Sequence, residues 1–202
     1  MNRIFVCIFI AAMTAVSLTG CSSVQVDRVD VEETVDLSGH WNDTDSRLVA
    51  QAVISDALRG LWLNQFQSQH DRRPVIIVGE ILNRSQEHIN AQVFIKDLER
   101  ALLNSGEVRF VVSADERAQP RDERAQQHAG QTRPSTIKEL GDELGADFIL
   151  TGTINTIKDQ HERRYVILYQ VNLELIDIQT NEKIWIGQHA IKKVVDRKPY
   201  SL

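Results

Sequence analysis

The alternation of apolar and polar residues changes its period several times along this chain, and each change predicts a new element of secondary structure. The first regular stretch, at 43–67, repeats apolar residues every three or four positions, which is the spacing of an amphipathic helix. Its apolar stripe contains Ile54, Leu58, Leu61 and Trp62. We expect Asn42 or Thr44 to cap this helix, and its apolar face to pack on a sheet.

The next segment has the pattern of a crossover unit. Residues 74–79 form a continuous apolar run, which is typical of a central strand buried on both faces. After a loop at 83–86, a helical pattern continues to Gly106, a residue that favours the conformation just after a helix. Residues 108–112 predict a second strand, and two strands joined by a helix at this spacing pair in parallel.

The middle of the chain is rich in charges of both signs. Capping-box sequences begin at Ser113 and Thr136. They predict a surface helix to about Gln127, interrupted or kinked by Pro120, and a short helix closed by Gly145. Because both signs are mixed, a solvated surface is a better interpretation of this charge than a nucleic-acid or membrane patch.

The last third alternates with period two, as half-buried strands do. Strands are predicted at 148–157, 165–175 and 183–193, joined by a loop at 158–163 and a turn at 179–182, which makes antiparallel hairpins. The predicted fold class is therefore α/β, a mixed sheet in which a β-α-β crossover unit precedes antiparallel strands, with helices packed on the sheet.

The N-terminus has the pattern of an export signal. An apolar run at 4–16 follows the single positive charge of Arg3, and it is too short to span a membrane. The sequence Leu-Thr-Gly-Cys at 18–21 resembles the bacterial lipobox, which implies that Cys21 is diacylated and begins the mature protein. The alternative is an ordinary small-residue cleavage site with an incidental cysteine. Ser22, rather than Asp, follows the cysteine and implies sorting to the outer membrane.

These patterns divide the chain into a lipoprotein signal peptide at 1–20, the lipidated cysteine with a polar periplasmic tether at 21–42, and one globular domain at 43–202. The composition agrees, because 42% hydrophobic and 25% charged residues among 202 exclude disordered and polytopic membrane proteins. Removal of residues 1–20 takes away Arg3 and changes the net charge from −5 to −6, which argues against nucleic-acid binding.

The chain offers little for catalysis. Cys7 is removed with the signal and Cys21 would carry lipid, so the mature chain has no thiol for a disulfide, a metal or a nucleophile. The six histidines are scattered without a zinc-binding spacing, and no nucleophile elbow or phosphate loop occurs. Of the carboxylates Glu80, Asp97 and Glu99, the last two lie two apart on a helix and would belong to a solvated face. We therefore expect no catalytic residue, metal, cofactor or small-molecule substrate.

Four segments carry a resemblance to a known family: 78–85, 98–106, 144–150 and 173–185. In order and spacing they resemble the LpoB family, outer-membrane lipoproteins that activate a bifunctional class A penicillin-binding protein. This resemblance implies a domain like the N-terminal domain of the TolB type, and a monomeric activator of peptidoglycan synthesis. The enteric members have a long Pro-rich tether, whereas the predicted tether here is short and lacks proline.

A partner contact is predicted at the loop after the first strand. In open α/β sheets, partners tend to meet the carboxyl ends of strands, where Asn83, Arg84 and Ser85 lie. Asn83 would make the turn and Ser85 would cap the next helix. Neither role needs a guanidinium, so the hypothesis of partner recognition depends mainly on Arg84. The charged segment from Asp115 to Arg133 is the next candidate.

Two other classes of function remain at this point. The same fold could serve as a structural or accessory lipoprotein of an outer-membrane assembly, of the secretion-channel or flagellar type. Such a subunit would form rings or filaments, whereas an activator would be a monomer. A cell-wall hydrolase would need a nucleophile or a metal site, which the sequence does not offer.

Overall fold

The computed structural model describes residues 26–30, 33–138 and 143–196. The chain divides into two compact units, Met1–Glu33 and Thr34–Leu202. In the first unit, the described residues 26–30 and 33 are exposed and form neither helix nor strand. Cys21 and the lipobox lie outside the described residues.

The second unit is built on a five-stranded mixed sheet in the order β2-β1-β3-β4-β5. The strands are β1 (Val75–Asn83), β2 (Arg109–Phe110), β3 (Phe148–His161), β4 (Arg164–Asp177) and β5 (Lys183–Asp196). β1 pairs in parallel with both β2 and β3, while β3–β4 and β4–β5 are antiparallel. The predicted fold class is therefore confirmed, and β1 is an interior strand as expected.

Helices cover one face of this sheet. They are α1 (Asp43–Leu58), α2 (Leu61–His70) and α3 (Ala91–Ser105). A fourth helix, α4 (Ala118–Gln126), has no buried residue, and a π-type turn at Gln127–Gln131 and a 3-10 turn at Pro134–Thr136 follow it. α1 packs on α3 and reaches β5, and α3 packs on β1. Among the described residues, no helix combines the length and the apolar character needed to cross a bilayer.

The core lies between these helices and the sheet. The covered face of β4 carries six buried side chains, Tyr165, Ile167, Tyr169, Val171, Leu173 and Leu175. The α3 stripe that packs opposite consists of Phe94, Ile95, Leu98 and Leu102. The residues between them on β4 are only half buried, so the predicted period-two alternation is confirmed.

The prediction of one helix over 43–67 is wrong, because the chain breaks at Arg59 and Gly60. Asn42 caps α1 as expected, but Gly60 adopts an extended conformation and precedes the new helix α2. A Cβ on Gly60 would lie 2.6 Å from the Trp62 ring, so this close turn needs glycine. The change in helix direction removes Leu61 from the apolar stripe, and its exposure is 76%.

The hairpin between β3 and β4 is tighter than predicted. In place of a loop over 158–163, the strands pair as far as His161 and Arg164, and only two residues form the turn. Glu162 in that turn has a φ of 49°. Strand pairing extends over the predicted loop because each added pair satisfies backbone groups that a loop would leave to water.

The charged middle region also differs from its prediction. α4 begins at Ala118 rather than near Ser113, and Pro120 lies in its first turn. There the missing N–H has no intrahelical partner to lose, so the helix is not interrupted. Of the helix predicted around Thr136 to Gly145, residues 139–142 lie outside the described residues, and the described residues 137, 138, 143 and 144 are not helical.

Candidate functional site

The predicted partner-binding residues lie where β1 leaves the sheet. Asn83 is the last residue of β1, and the Arg84 backbone N–H donates to the carbonyl of Ile154 on β3 (2.8 Å). The Asn83 Oδ1 atom accepts hydrogen bonds from the Ser85 N–H (2.9 Å) and the Ser85 hydroxyl (2.6 Å). Asn83 therefore makes the turn that was predicted for it.

Ser85 does not cap the next helix, which corrects the sequence prediction. α3 begins six residues later and is capped by Asn90, whose side chain accepts from the Gln92 N–H (3.0 Å). The Ser85 hydroxyl instead accepts from the Glu87 N–H (3.2 Å). The polar bonds of Asn83 and Ser85 are thus used to fix the loop from 83 to 87.

Arg84 is the member of this loop that the fold does not use. Its side chain is exposed, and its guanidinium has neither a hydrogen bond nor an ion pair among the residues that the structure describes. The backbone on both sides of it is held by the bonds of Asn83 and Ser85. The loop therefore presents an unpaired planar cation from a fixed backbone, an arrangement suited to a carboxylate partner.

The loop is supported from beneath by Glu87. Its Oε1 atom accepts a hydrogen bond from the Tyr169 hydroxyl (2.7 Å) and lies 2.9 Å from His40 Nδ1. Its Oε2 atom accepts from the Trp41 N–H (3.2 Å), and the side chain is only 17% exposed. Burial raises the pKa of Glu87, but hydrogen bonds from Tyr169, His40 and Trp41 outweigh it and leave the pKa below its usual value.

Tyr169 is the second member of this buried group. Burial and the neighbouring Glu87 carboxylate both raise the pKa of its hydroxyl. The hydroxyl therefore stays protonated and remains a donor at physiological pH. The indole of Trp41 stands edge-on to the Tyr169 ring, with 5.5 Å between ring centroids, and so closes this group from the side.

His40 and Trp41 belong to residues 34–42, which we call the strap. The sequence analysis assigned these nine residues to the tether, but they lie in the compact unit that begins at Thr34. The Tyr165 hydroxyl donates to the Ser38 carbonyl (3.1 Å). Gly39 has a φ of +75°, and a Cβ there would lie 2.3 Å from the Val195 side chain, so the strap packs tightly on β5.

A buried ion-pair cluster fixes the strap to β5 and α1. Lys193 Nζ lies 2.7 Å from Asp36 Oδ1 and 2.6 Å from Asp45 Oδ2, and it donates to the His40 carbonyl (3.1 Å). The Lys193 and Asp45 side chains are only 9% and 8% exposed. Burial lowers the pKa of Lys193, but the two carboxylates outweigh it, so the pKa is raised and the lysine stays charged.

The predicted solvated carboxylates behave differently from expectation. Asp97 accepts a hydrogen bond from the buried Ser46 hydroxyl (2.9 Å) and pairs with Arg100 (2.8 Å). Glu99 pairs with Lys96 (2.7 Å). Both carboxylates are largely covered, so the prediction of a solvated face is wrong for them, and the two do not form a catalytic pair. Asp97 instead joins α3 to Ser46 of α1, whereas Glu99 pairs within α3.

The charged segment from Asp115 to Arg133, the second candidate interface, forms ion pairs with Glu143. Arg121 Nη2 and Arg124 Nη2 lie 2.8 Å and 2.5 Å from the carboxylate of Glu143. These hydrogen bonds lower the pKa of Glu143 to about 2. Arg121 and Arg124 of this segment are therefore already paired, in contrast to Arg84.

Sequence reasoning missed Glu87, His40, Trp41 and Lys193, which connect the strap to the loop. Only Lys193 carries a visible signal. It lies directly opposite the buried Ile167 in the β4–β5 pairing, at a position of β5 where the alternation of the strand predicts an apolar residue. A charged residue at such a position indicates a buried partner of opposite charge but does not identify it. The described residues contain no group of three or more His, Cys, Asp or Glu that could hold a metal ion.

Solved structures with a similar fold include the C-terminal domain of LpoB from Salmonella enterica, 20% identical, covering 73% of this chain and 98% of that one, with a TM-score of 0.40. Another is the NMR structure of LpoB from Escherichia coli, which is 16% identical and has a TM-score of 0.41; the match covers 90% of this chain and 84% of that one. A third is the lipoprotein GNA1162 from Neisseria meningitidis, 17% identical, covering 62% and 87%, with a TM-score of 0.39.

None of the curated proteins compared with this chain matches it. The family model described as "Peptidoglycan-synthase activator LpoB" matches residues 45–191, which is well over half of the chain. The matched range includes the loop from 83 to 87 and ends two residues before Lys193. The family is one of regulators rather than catalysts. This chain therefore belongs to the LpoB family of peptidoglycan-synthase activators.

Proposed function

We propose that this protein is a lipid-anchored periplasmic regulator that activates a bifunctional peptidoglycan synthase, a class A penicillin-binding protein, by binding it directly. The match of the family model over residues 45–191 carries this proposal. The proposal needs no catalytic residue, cofactor, nucleic acid or small-molecule substrate in this chain. Activation is then a change in the synthase, produced by preferential binding to its active conformation.

The loop of Asn83, Arg84 and Ser85 is the proposed contact. Its backbone is fixed by the Asn83 and Ser85 hydrogen bonds and by Glu87 beneath it, so little conformational entropy is lost on binding. Arg84 supplies the recognition, because its exposed guanidinium is unpaired among the described residues and fits a carboxylate of the synthase.

Anchoring is the second part of the proposal. Cys21 would carry acyl chains that hold the protein on the periplasmic face of the outer membrane. Each buried CH₂ contributes about 0.8 kcal/mol, so several chains make release negligible. The domain would then act as a monomer close to its membrane. The length of chain between Cys21 and the strap would limit its distance from the membrane.

The deciding experiment is a calorimetric titration of the synthase with Arg84→Ala. We expect binding to weaken by about 1–2 kcal/mol, or roughly five- to 30-fold, with the melting temperature unchanged, as for an exposed hot-spot residue. Arg59→Ala is the control, since Arg59 is also an exposed arginine but lies at the end of α1, where its contacts are with Ser55 and Asp56 of the same helix. Equal affinity of both variants and the wild type would move the interface to the charged segment from Asp115 to Arg133.

Turnover assays complete the test. Added to the synthase, the protein should raise polymerisation by a factor within the range of about five- to 150-fold that is typical of allosteric coupling. Alone, it should neither polymerise nor cleave cell-wall glycan. Sedimentation of the detergent-solubilised protein as rings or filaments, instead of monomers, would favour a subunit of an outer-membrane assembly.

A further inference from the structure

A second surface lies at the opposite end of β5 from the strap. It is a cleft of about 560 Å³ between α2 and the ends of β4 and β5, within the range of about 300–1,000 Å³ for small-ligand sites. Lys193 holds the strap near the far end of β5, and Trp185 in the cleft lies eight residues earlier, about 27 Å along the strand. The cleft is therefore separate from the proposed synthase contact.

The floor of this cleft is aromatic. Trp62 and Phe66 both stand edge-on to Phe148, with ring centroids 5.5 Å and 5.2 Å apart. The Trp62 Nε1–H donates to the Ala57 carbonyl (2.7 Å), which fixes the indole. Trp62, Phe66 and Phe148 are each at most 8% exposed, so they form a buried base, and the tryptophan of the cleft that a ligand can reach is Trp185.

Trp185 forms a half-exposed wall of the cleft. Gly187 follows it on the same face of β5, and a Cβ at Gly187 would lie 2.1 Å from the Trp185 ring. The indole therefore lies across the glycine, in a place that any other residue would fill. On an edge strand this arrangement leaves a flat aromatic surface open to a ligand.

The lining of the cleft is polar at its rim, and the lining residues include His70 but no lysine or arginine. The nearby Arg72 guanidinium lies over the Phe66 ring, 5.0 Å from its centroid, and is paired with Asp147. Gln65 and Gln69 are exposed on one face of α2, and their side-chain amides make no hydrogen bond within the described part of the chain. Asp177 and Glu182 add carboxylates. Their charge disfavours phospholipid headgroups and nucleic acids, while free amides beside an indole suit an uncharged ligand that has both apolar CH faces and hydroxyl or amide groups.

We infer that this cleft binds a glycan of β-linked N-acetylhexosamines, the sugar backbone of peptidoglycan. Sugar rings would stack on Trp185, and their hydroxyl and acetamido groups would bond to Gln65, Gln69 and Glu182. Asp177 Oδ1 already accepts from the N–H groups of Gln179 and Thr180. The protein would then hold the polymer near Phe148, where β3 begins, and the synthase at the loop after β1, which lies beside Ile154 in the middle of β3. Glycan binding does not depend on the proposed synthase contact at Arg84.

The test uses the full-length protein in a detergent without a sugar headgroup, titrated with chitotetraose while tryptophan fluorescence is recorded. We expect a saturable change, at least tenfold weaker binding for Trp185→Ala, and no change for Ile186→Ala. Ile186 is the matched control because it is the next residue of β5 and is exposed on the opposite face of the sheet. Cellotetraose, which lacks acetamido groups, should bind more weakly.

A second variant guards against misfolding of Trp185→Ala. Gln65→Ala with Gln69→Ala leaves the aromatic floor intact and should also weaken chitotetraose binding. The inference is overturned if chitotetraose gives no saturable response at millimolar concentration, or if cellotetraose binds equally well. It is also overturned if Trp185→Ala weakens the synthase complex and leaves chitotetraose binding unchanged. Because the titration contains no synthase, its failure leaves the Arg84 result intact.

Discussion

Replacing Glu87 by glutamine tests whether the strap and the loop are joined at one carboxylate. Glutamine has nearly the same shape but offers one acceptor oxygen and an NH₂ group. Glu87 uses both oxygens, one toward Tyr169 and His40 and the other toward the Trp41 N–H. In the Glu87→Gln variant, the NH₂ group must therefore face either the Trp41 N–H, which is a donor, or the Tyr169 hydroxyl, which would have to change from donor to acceptor.

The expected cost follows from these contacts. A hydrogen bond to a charged group contributes about 1.5–3 kcal/mol, and a buried donor left without an acceptor costs about 1–3 kcal/mol. We expect Glu87→Gln to lower the free energy of unfolding by about 2–4 kcal/mol at pH 7. For a domain of this size that corresponds to a decrease in melting temperature of about 5–12 °C.

The effect should depend on pH in a defined direction. The folded-state pKa of Glu87 lies below its unfolded value of about 4.3. Its stabilising contribution is therefore fully present above pH 5 and is lost as the pH falls through the folded-state pKa. Since glutamine does not titrate, the stability difference between wild type and variant should shrink between pH 5 and pH 3.

Urea unfolding of both proteins at several pH values measures this difference, and amide exchange at Trp41 reports release of the strap. Glu107→Gln serves as the control, since Glu107 is exposed just after α3 and should give no change. A difference that stays constant down to pH 3, or a variant as stable as the wild type at pH 7, would refute the reasoning.

Two further predictions concern the strap and the anchor. Lys193→Met should destabilise the domain by about 3–5 kcal/mol, because it leaves Asp45 and Asp36 without their buried cation. Adding Asp45→Asn should recover part of this loss in a double-mutant cycle measured by urea unfolding. Cys21→Ser should abolish incorporation of radiolabelled palmitate and release the protein from the membrane fraction. A wild-type protein that is soluble without detergent and unlabelled would contradict the anchor.

Local signals in the sequence predicted local structure well. The cap at Asn42, the helix end at Gly106 and the alternation along β4 each depend on residues within a few positions of one another. The break at Gly60 also had a local signal, since glycine inside a helical pattern weakens it, but the apolar spacing across the break concealed the change of direction.

The support beneath the loop could not be predicted in the same way. Glu87 meets Trp41 and Tyr169, which lie 46 and 82 positions away in the chain. Nothing near Glu87 distinguishes it from a surface carboxylate, because its environment is made by the strap and by β4. The three loop residues were identified from their place after a strand, whereas the reason for their fixed geometry appears only in the folded chain.

The strap also determines how a pulling force would enter the domain. Under the proposed anchoring at Cys21, tension on the N-terminal chain acts first on Thr34 and the Asp36–Lys193 ion pair, and then on His40 and Trp41 at Glu87. Detachment of the strap would lengthen the free chain by nine residues, or about 30 Å when extended. The same detachment would remove the contacts of His40 and Trp41 with Glu87 and leave only the Tyr169 hydrogen bond. One mechanical event would therefore both extend the reach of the domain and loosen the support of the proposed synthase contact.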